Sequence, residues 1–280
     1  MMNTYTNLQN KIVAITGAGG VLCSFFAEEC LKLGMSVVLM DINETSIQKV
    51  KEDLGNDDKV MAVQCDVLNI DSVKEACDKV IQHFGKIDIL INGAGGNHPK
   101  ASTSNEYYEL DQKSSNSEVG FFDLTTEGFK FVFDLNFMGT FNVTQVFAKY
   151  MLKEGCSIIN ISSASSENSL TKVPAYSAAK SAINNFTKWL AVHFAKTGLR
   201  VNAMAPGFFL TKQNEKLLID KDGNFTPRTT KILSHTPMER LGVPKDLIGT
   251  LIYLMDNEMS NFVTGKVIYV DGGFCSYSGV

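Results

Sequence analysis

Apolar positions along this chain follow two rhythms that take turns. Seven short, β-branched runs are hydrophobic almost without interruption: Lys11–Thr16, Ser36–Met40, Val60–Cys65, Ile87–Ile91, Cys156–Ile161, Arg200–Met204 and Lys266–Val270. Runs of that length and character are what strands covered on both faces require. Between them apolar residues recur at helical spacing, from Val21 to Leu33, from Asn43 onward, from Asn69 to Phe84, from Thr125 to Met151, from Pro174 to Lys196 and from Pro244 to Met255. The alternation predicts an α/β fold with one doubly wound domain over 1–280, a central parallel sheet of about seven strands and helices on both faces. Two stretches break the rhythm. Residues 97–124 are polar and serine-rich and read as a long loop; 208–241 mix helix and loop around the interruptions Pro227 and Pro237 and read as a lid over a substrate.

Ligands gather beyond the C-terminal ends of such strands, so the residues found there carry the chemistry. The first strand runs into Gly17-Ala-Gly-Gly20 and then a helix. Gly17, Gly19 and Gly20 let backbone approach a pyrophosphate, and Val21 and Leu22 open a helix whose free N–H groups favour an anion. A tight strand-to-helix connection would use the same glycines, so the turn alone leaves nucleotide binding open. The second strand ends at Asp41, about 20 residues on, where a carboxylate accepts hydrogen bonds from adenosine ribose hydroxyls. A helix N-cap is the other use for Asp41, although Asn43 can fill it. A carboxylate here repels a 2′-phosphate, and neither Ala18 nor Ile42 offsets it with positive charge, so NAD is expected rather than NADP. His98 and Lys100, just past the fourth strand, are available to an anionic substrate; a solvated loop accounts for them equally well.

Tyr176 and Lys180 are four residues apart on a helix, one turn, and share a face at roughly 5–6 Å between Cβ atoms. A tyrosine titrates near pH ~10, and a neighbouring cation favours its phenolate, so the pair is a candidate general acid–base. Asn136, midway along the helix from Thr125, would serve as a buried or helix-distorting polar group; a solvent-facing position is the default.

Bulk properties narrow the partners. A formal charge of −4 with a pI near 5.6 gives no basic footprint for nucleic acid, and no polybasic run or long apolar span offers a membrane contact. The polar residues 1–10 lack an apolar signal core, so the cytoplasm is the expected location. Six cysteines and four histidines are scattered singly, which predicts reduced thiols and no metal.

The ordered set Gly17 to Gly20, Asp41, Asp66, Asn92-Gly-Ala-Gly95, Asn136, Ser163, Tyr176, Lys180 and Pro206-Gly207 resembles the short-chain dehydrogenase/reductase family over essentially the whole chain. The resemblance implies a Rossmann fold and a catalytic set of Asn136, Ser163, Tyr176 and Lys180. Ser163 would hydrogen-bond the substrate oxygen, Tyr176 shuttle its proton, Lys180 lower the phenol pKa and bind the nicotinamide ribose, and Asn136 hold a water linking Lys180 to solvent. It also implies that Asp66 and Val67 lie by the adenine, that Asn92, Ala94 and Gly95 pass the cofactor, and that Pro206, Gly207 and Thr211 border the nicotinamide.

One departure stands out, since the family's two later turn glycines fall, ungapped, on Val21 and Cys23. The turn is then either one residue shorter, or the helix sits farther from the sheet to admit a side chain. A narrower resemblance, carried by Asn92-Gly-Ala-Gly-Gly-Asn-His-Pro-Lys100, Ala205-Pro-Gly-Phe-Phe-Leu-Thr-Lys-Gln-Asn214, Thr226-Pro-Arg228, His235-Thr-Pro-Met238 and Asp271-Gly-Gly-Phe274, is to the D-mannonate oxidoreductases of short-chain type, or fructuronate reductases. It implies a sugar-acid substrate, for whose carboxylate His98, Lys100, Lys212 and Arg228 are the available cations. Another sugar-acid or polyol dehydrogenase, similar to gluconate 5-dehydrogenase, and a non-catalytic dinucleotide sensor are the alternatives. Large apolar residues on the helices from Phe129 and Pro174 lead to the expectation of a homodimer or homotetramer.

Overall fold

The computed structural model describes residues 6–55, 58–108, 110, 118–211 and 214–279. Its seven strands are β1 Ile12–Thr16, β2 Ser36–Asp41, β3 Val60–Gln64, β4 Ile89–Asn92, β5 Ser157–Ile161, β6 Arg200–Pro206 and β7 Val267–Val270. They form one all-parallel sheet in the order β3-β2-β1-β4-β5-β6-β7. Chain order reverses between β1 and β4, and at this switch point the loops after both strands open side by side.

The helices are α1 Val21–Lys32, α2 Glu44–Asp53, α3 Ile70–Phe84, α4 Thr126–Phe133, α5 Gly139–Phe147, α6 Pro174–Phe194, α7 Glu215–Leu218, α8 Pro227–Ser234, α9 Ile248–Met255 and α10 Asn257–Ser260. Because strand side chains alternate in direction, Val13 and Ile15 of β1 pack with Phe26 and Ala27 of α1 and Leu251 of α9. Ala14, between them, faces the opposite core with Val73 of α3, Phe147 of α5 and Leu190 of α6. This double burial is the reason the strands read as unbroken apolar runs.

Differences from the sequence-based expectation have local causes. The helix expected from Thr125 to Met151 is three segments, because a π-turn at Asp134–Met138 separates α4 from α5. β6 continues two residues past Met204 to Pro206, which pairs with Val270; proline is tolerated because the ladder stops there. Pro227 does not interrupt a helix but starts one, as the first residue of α8 after the Thr226 cap, where its missing N–H has no intrahelical partner to lose. Asn43 caps α2 by accepting from Ser46 N–H, which leaves Asp41 free of that duty.

Candidate active site

The loops after β1 and β4 meet above the switch point. The first, Gly17–Gly20, has Gly17 in the left-handed region at φ +68°, and a Cβ there would lie 2.9 Å from the Ala94 backbone. Only glycine lets the loops after β1 and β4 touch in this way. Thr16 Oγ1 fixes the contact by accepting from Gly93 N–H at 3.0 Å and Ala94 N–H at 3.1 Å. α1 then begins at Val21, so the turn closes with Gly20 as its cap, and the first-turn N–H groups of Val21, Leu22 and Cys23 lack intrahelical acceptors.

Where the family pattern has a glycine, the Cys23 side chain is buried against the β4 loop, and a Cβ on Gly93 would stand 2.3 Å from Cys23 Sγ. The thiol fills the space that Gly93 leaves, so the helix admits a side chain by taking room from the neighbouring loop.

Asp41 receives Gly19 N–H on Oδ2 at 3.1 Å and Asn43 N–H on Oδ1 at 3.0 Å. Each oxygen keeps a lone pair for a ribose hydroxyl. Ile42 beside it is 63% exposed and uncharged. Asp66 accepts from Leu68 N–H, and Val67 is buried against Gly139 of α5. Asn92, by contrast, sends its side chain away from the cleft: its Nδ2 donates to Thr144 Oγ1 at 2.9 Å and Asn160 Oδ1 at 2.8 Å inside the sheet. Only its backbone is left for a cofactor. Gly207 packs on Asp271, where a Cβ would lie 2.7 Å from Cα, and Thr211 N–H is taken by Asn214 Oδ1 at 2.8 Å. Turn glycines with no room for Cβ, a helix N-terminus and an acceptor carboxylate at the end of β2 make a cradle that fits a dinucleotide.

The second cluster hangs on α6. Tyr176, Lys180 and Asn184 repeat at one-turn spacing and all face β5 and the turn after it. Ser163, just past the end of β5, lies beside the Tyr176 phenol and acts to lower its pKa. Lys180, 4% exposed, donates from Nζ to Ile161 O at 2.8 Å and stands 5.5 Å from the centre of the Tyr176 ring. Burial pushes its pKa down to about 8, against a weaker upward pull from Cys23. The phenol behaves differently from expectation. Burial of this half-buried ring raises its pKa, and Ser163 is what lowers it, rather than Lys180, whose ammonium is directed to the Ile161 carbonyl.

Asn136 is not solvent-facing but 0% exposed, and it sits within the π-turn. Its Oδ1 accepts from Gly96 N–H at 3.1 Å, and its Nδ2 donates to Gly96 O at 2.7 Å and Val132 O at 2.8 Å. A Cβ on Gly95 would meet Asn136 Oδ1 at 2.5 Å and Lys180 Nζ at 3.3 Å, so the loop after β4 is clamped between the two.

The expected substrate cations are spread out. His98 accepts Lys100 N–H on Nδ1, which places its own proton on Nε2, and its ring meets Phe131 edge-on. Lys100 and Arg228 are exposed, and among the described residues no hydrogen bond or ion pair joins either side chain to the Tyr176 cluster. Lys212 lies outside the described residues. Instead Lys231 of α8 pairs with Glu106 and ties the 208–241 segment to the long loop. That loop is pinched at its base, where Ser104 N–H donates to Val119 O at 2.8 Å, and Thr103 N–H donates to Lys172 O at 2.9 Å. Sequence reasoning missed Thr16, Asn184 and the Cys23–Gly93 fit. For Asn184 the signal was present, since it continues the spacing of Tyr176 and Lys180.

Among the described residues no helix is long and apolar enough to cross a membrane. A family model described as Enoyl-(Acyl carrier protein) reductase matches residues 22–275. An uncharacterized oxidoreductase of Bacillus subtilis is 51% identical over 282 residues, covering 100% of both chains. A 2-dehydro-3-deoxy-D-gluconate 5-dehydrogenase of Dickeya dadantii is 32% identical over 278 residues, with 98% of each chain covered. A solved structure with NAD bound, from Haemophilus influenza and provisionally described as a D-mannonate oxidoreductase, superposes with a TM-score of 0.94 at 48% identity, covering 99% of each chain.

Proposed function

The chain belongs to the short-chain dehydrogenase/reductase family, and from that premise we propose that it interconverts D-fructuronate and D-mannonate with NAD. The observation that carries the reaction type is the grouping of Tyr176 and Lys180, one turn apart on α6 with the ammonium 5.5 Å from the ring centre, beside Ser163, which acts on the phenol to lower its pKa. The choice of sugar acid is supported by the NAD-bound relative and by the motif stretches shared with that subgroup.

NAD, when bound, would supply the acceptor for a hydride from the alcohol carbon and, in its reduced form, the hydride for the ketone carbon. The protein's part is to place and move a proton. In the reductive direction the neutral Tyr176 phenol, held in that form by its enclosure, gives its proton to the carbonyl oxygen while Ser163 donates a hydrogen bond to the same atom. In the oxidative direction Tyr176 must first ionise, so oxidation gains with rising pH and reduction with falling pH. Lys180 holds ribose hydroxyls, and Gly17, Gly19, Gly20, Val21 and Leu22 hold the pyrophosphate. Asp41 selects NAD over NADP by its charge beside an uncompensated Ile42. Asn136 fixes Gly96, and with it the wall of the cleft. The segment 208–241 closes over the substrate, whose carboxylate is met by His98, Lys100, Lys212 or Arg228. The face of α5 and α6 carrying Phe141, Phe186 and Trp189, the last 55% exposed, pairs with a second copy.

The test is Tyr176→Phe assayed with D-fructuronate and NADH: turnover falls by about 10³-fold or more while NADH still binds. Near-normal turnover would remove Tyr176 from the chemistry. A second reading, oxidation of a deoxygenated gluconate, is favoured by the 32% identical relative. It prevails if a panel of hexuronates and aldonates shows faster turnover with such a substrate than with the mannonate pair.

A further inference from the structure

Ser163 stands in a turn, Ser162 to Ser166, whose only regular feature is a single 3₁₀ turn at Ala164–Ser166. A hydroxyl that must meet both a phenol and a substrate oxygen needs tighter placement than such a turn supplies by itself. A polar network behind the turn supplies the rest. Ser162 Oγ donates to Asn184 Oδ1 at 2.6 Å, Asn184 Nδ2 donates to Ser166 Oγ at 2.7 Å, and Ser166 Oγ donates to Ser163 O at 2.6 Å. Asn184 Nδ2 also reaches the Tyr269 hydroxyl on β7 at 3.2 Å, and that hydroxyl donates to Glu167 Oε2 at 3.0 Å.

The run of donors has one direction, amide to phenol to carboxylate. It therefore fixes which way the Asn184 amide faces, and its charged end strengthens each member. Two successive turns of α6 are stitched to the same strand end, Lys180 to Ile161 and Asn184 to Ser162 and Ser166, and the turn before them carries Tyr176.

We propose that Asn184 and Tyr269 are positioning residues that hold Ser163 against the Tyr176 phenol from behind its turn. The proposal rests on the reading of Tyr176 as the proton donor and acceptor. Ser163 is the group that eases ionisation of an otherwise disfavoured phenol. Loosening Ser163 must therefore move the pH at which oxidation switches on, which a merely structural residue would not do. The titratable groups around the phenol are Lys180 on its own helix, and His98 and Lys100 on the segment that packs Ala101 against it. α4 adds only the apolar Phe129 and Val132 to that contact. Glu167, with Cys275 on the tail, stands on the Tyr269 side.

The experiment is the pH profile of kcat for D-mannonate oxidation in wild type, Tyr269→Phe, Asn184→Asp and Ser163→Ala. Tyr269→Phe keeps the ring and loses only the hydroxyl. It is expected to lower kcat about five- to tenfold and to move the midpoint about one pH unit upward, with KM for NAD within about twofold of wild type. Asn184→Asp keeps the acceptor for Ser162 and loses the donor to Ser166 and Tyr269, so it moves the midpoint in the same direction and farther. In a Ser163→Ala background Tyr269→Phe should no longer move it. The proposal is overturned if the Tyr269→Phe profile coincides with wild type, or if its shift survives intact without the Ser163 hydroxyl. Tyr176→Phe run in parallel separates the two failures. An active Tyr176→Phe removes the underlying reading, whereas an inactive one beside an unmoved Tyr269→Phe profile removes only the positioning role.

Discussion

The two sides of the cleft are built by different means. On the dinucleotide side, the loops after β1 and β4 are locked by bonds from the buried side chains of Thr16 and Asn136 to partly buried backbone and by glycines that admit no side chain. On the entrance side, 97–124 and 208–241 are joined by an exposed ion pair, Glu106 with Lys231. Buried side-chain-to-backbone bonds are costly to open, while an exposed pair is weak and salt-screened. Under the proposed function the difference would separate tasks: bonds of the first kind suit a wall that keeps the reacting groups at their distances, and a contact of the second kind suits an entrance that opens cheaply.

The largest test falls on the fixed wall. Lys180→Met should reduce turnover by about 10³-fold while making the protein more stable at pH 7. The folded Lys180 pKa of about 8 lies below its ordinary 10.5, so burial penalises the charged form. That penalty is complete below pH 8 and fades as pH rises to 10.5, so the wild type gains stability across that window. It amounts to about 3 kcal/mol, from which loss of the bond to Ile161 O subtracts about 1. Chemical denaturation should show the variant's advantage at pH 7 and none near pH 10.5; an advantage independent of pH would contradict the burial argument.

Gly17→Ala comes next. The left-handed backbone and the 2.9 Å approach to Ala94 force the two loops apart, so KM for NAD should rise by at least about tenfold, with a smaller change in kcat. An unchanged KM would mean the fixed wall is softer than its bonds imply. The smallest effect is on the entrance side. Glu106→Gln should change the KM for the sugar acid by only about two- to threefold, and raising salt in the wild type should mimic it. A much larger effect would show that the entrance is as rigid as the floor.

The same contrast explains what could be read from the chain. Seven strands were legible because each is buried on both faces, and double burial leaves a continuous apolar run. Tyr176, Lys180 and Asp41 stood out as candidates because a one-turn spacing and a strand end put them where ligands gather, and Ser163 joined them through the family resemblance. The π-turn was not, because helical periodicity over Thr125 to Met151 absorbs one extra residue per turn without losing its apolar face; only the polar Asn136 marked the place. The direction of the phenol's pKa was not legible either. It depends on how fully the fold encloses the ring and on the carbonyl that captures the lysine, neither of which spacing reveals. Glu106 and Lys231 are 125 residues apart and ordinary in their surroundings, so nothing local announces their contact.

Cys23 and Gly93 share one parcel of volume across a gap of seventy residues. With the thiol's sulfur 2.3 Å from where a Cβ on Gly93 would sit, one position can be large only while the other is empty. The two sites are therefore packed as a single unit. Restoring glycine at 23 alone leaves a void, and adding a methyl at 93 alone forces a collision. Lineages of this fold should thus be sortable by which of the two positions keeps the space, and a cofactor turn transplanted from one sort into the other should fail until its partner position is exchanged with it.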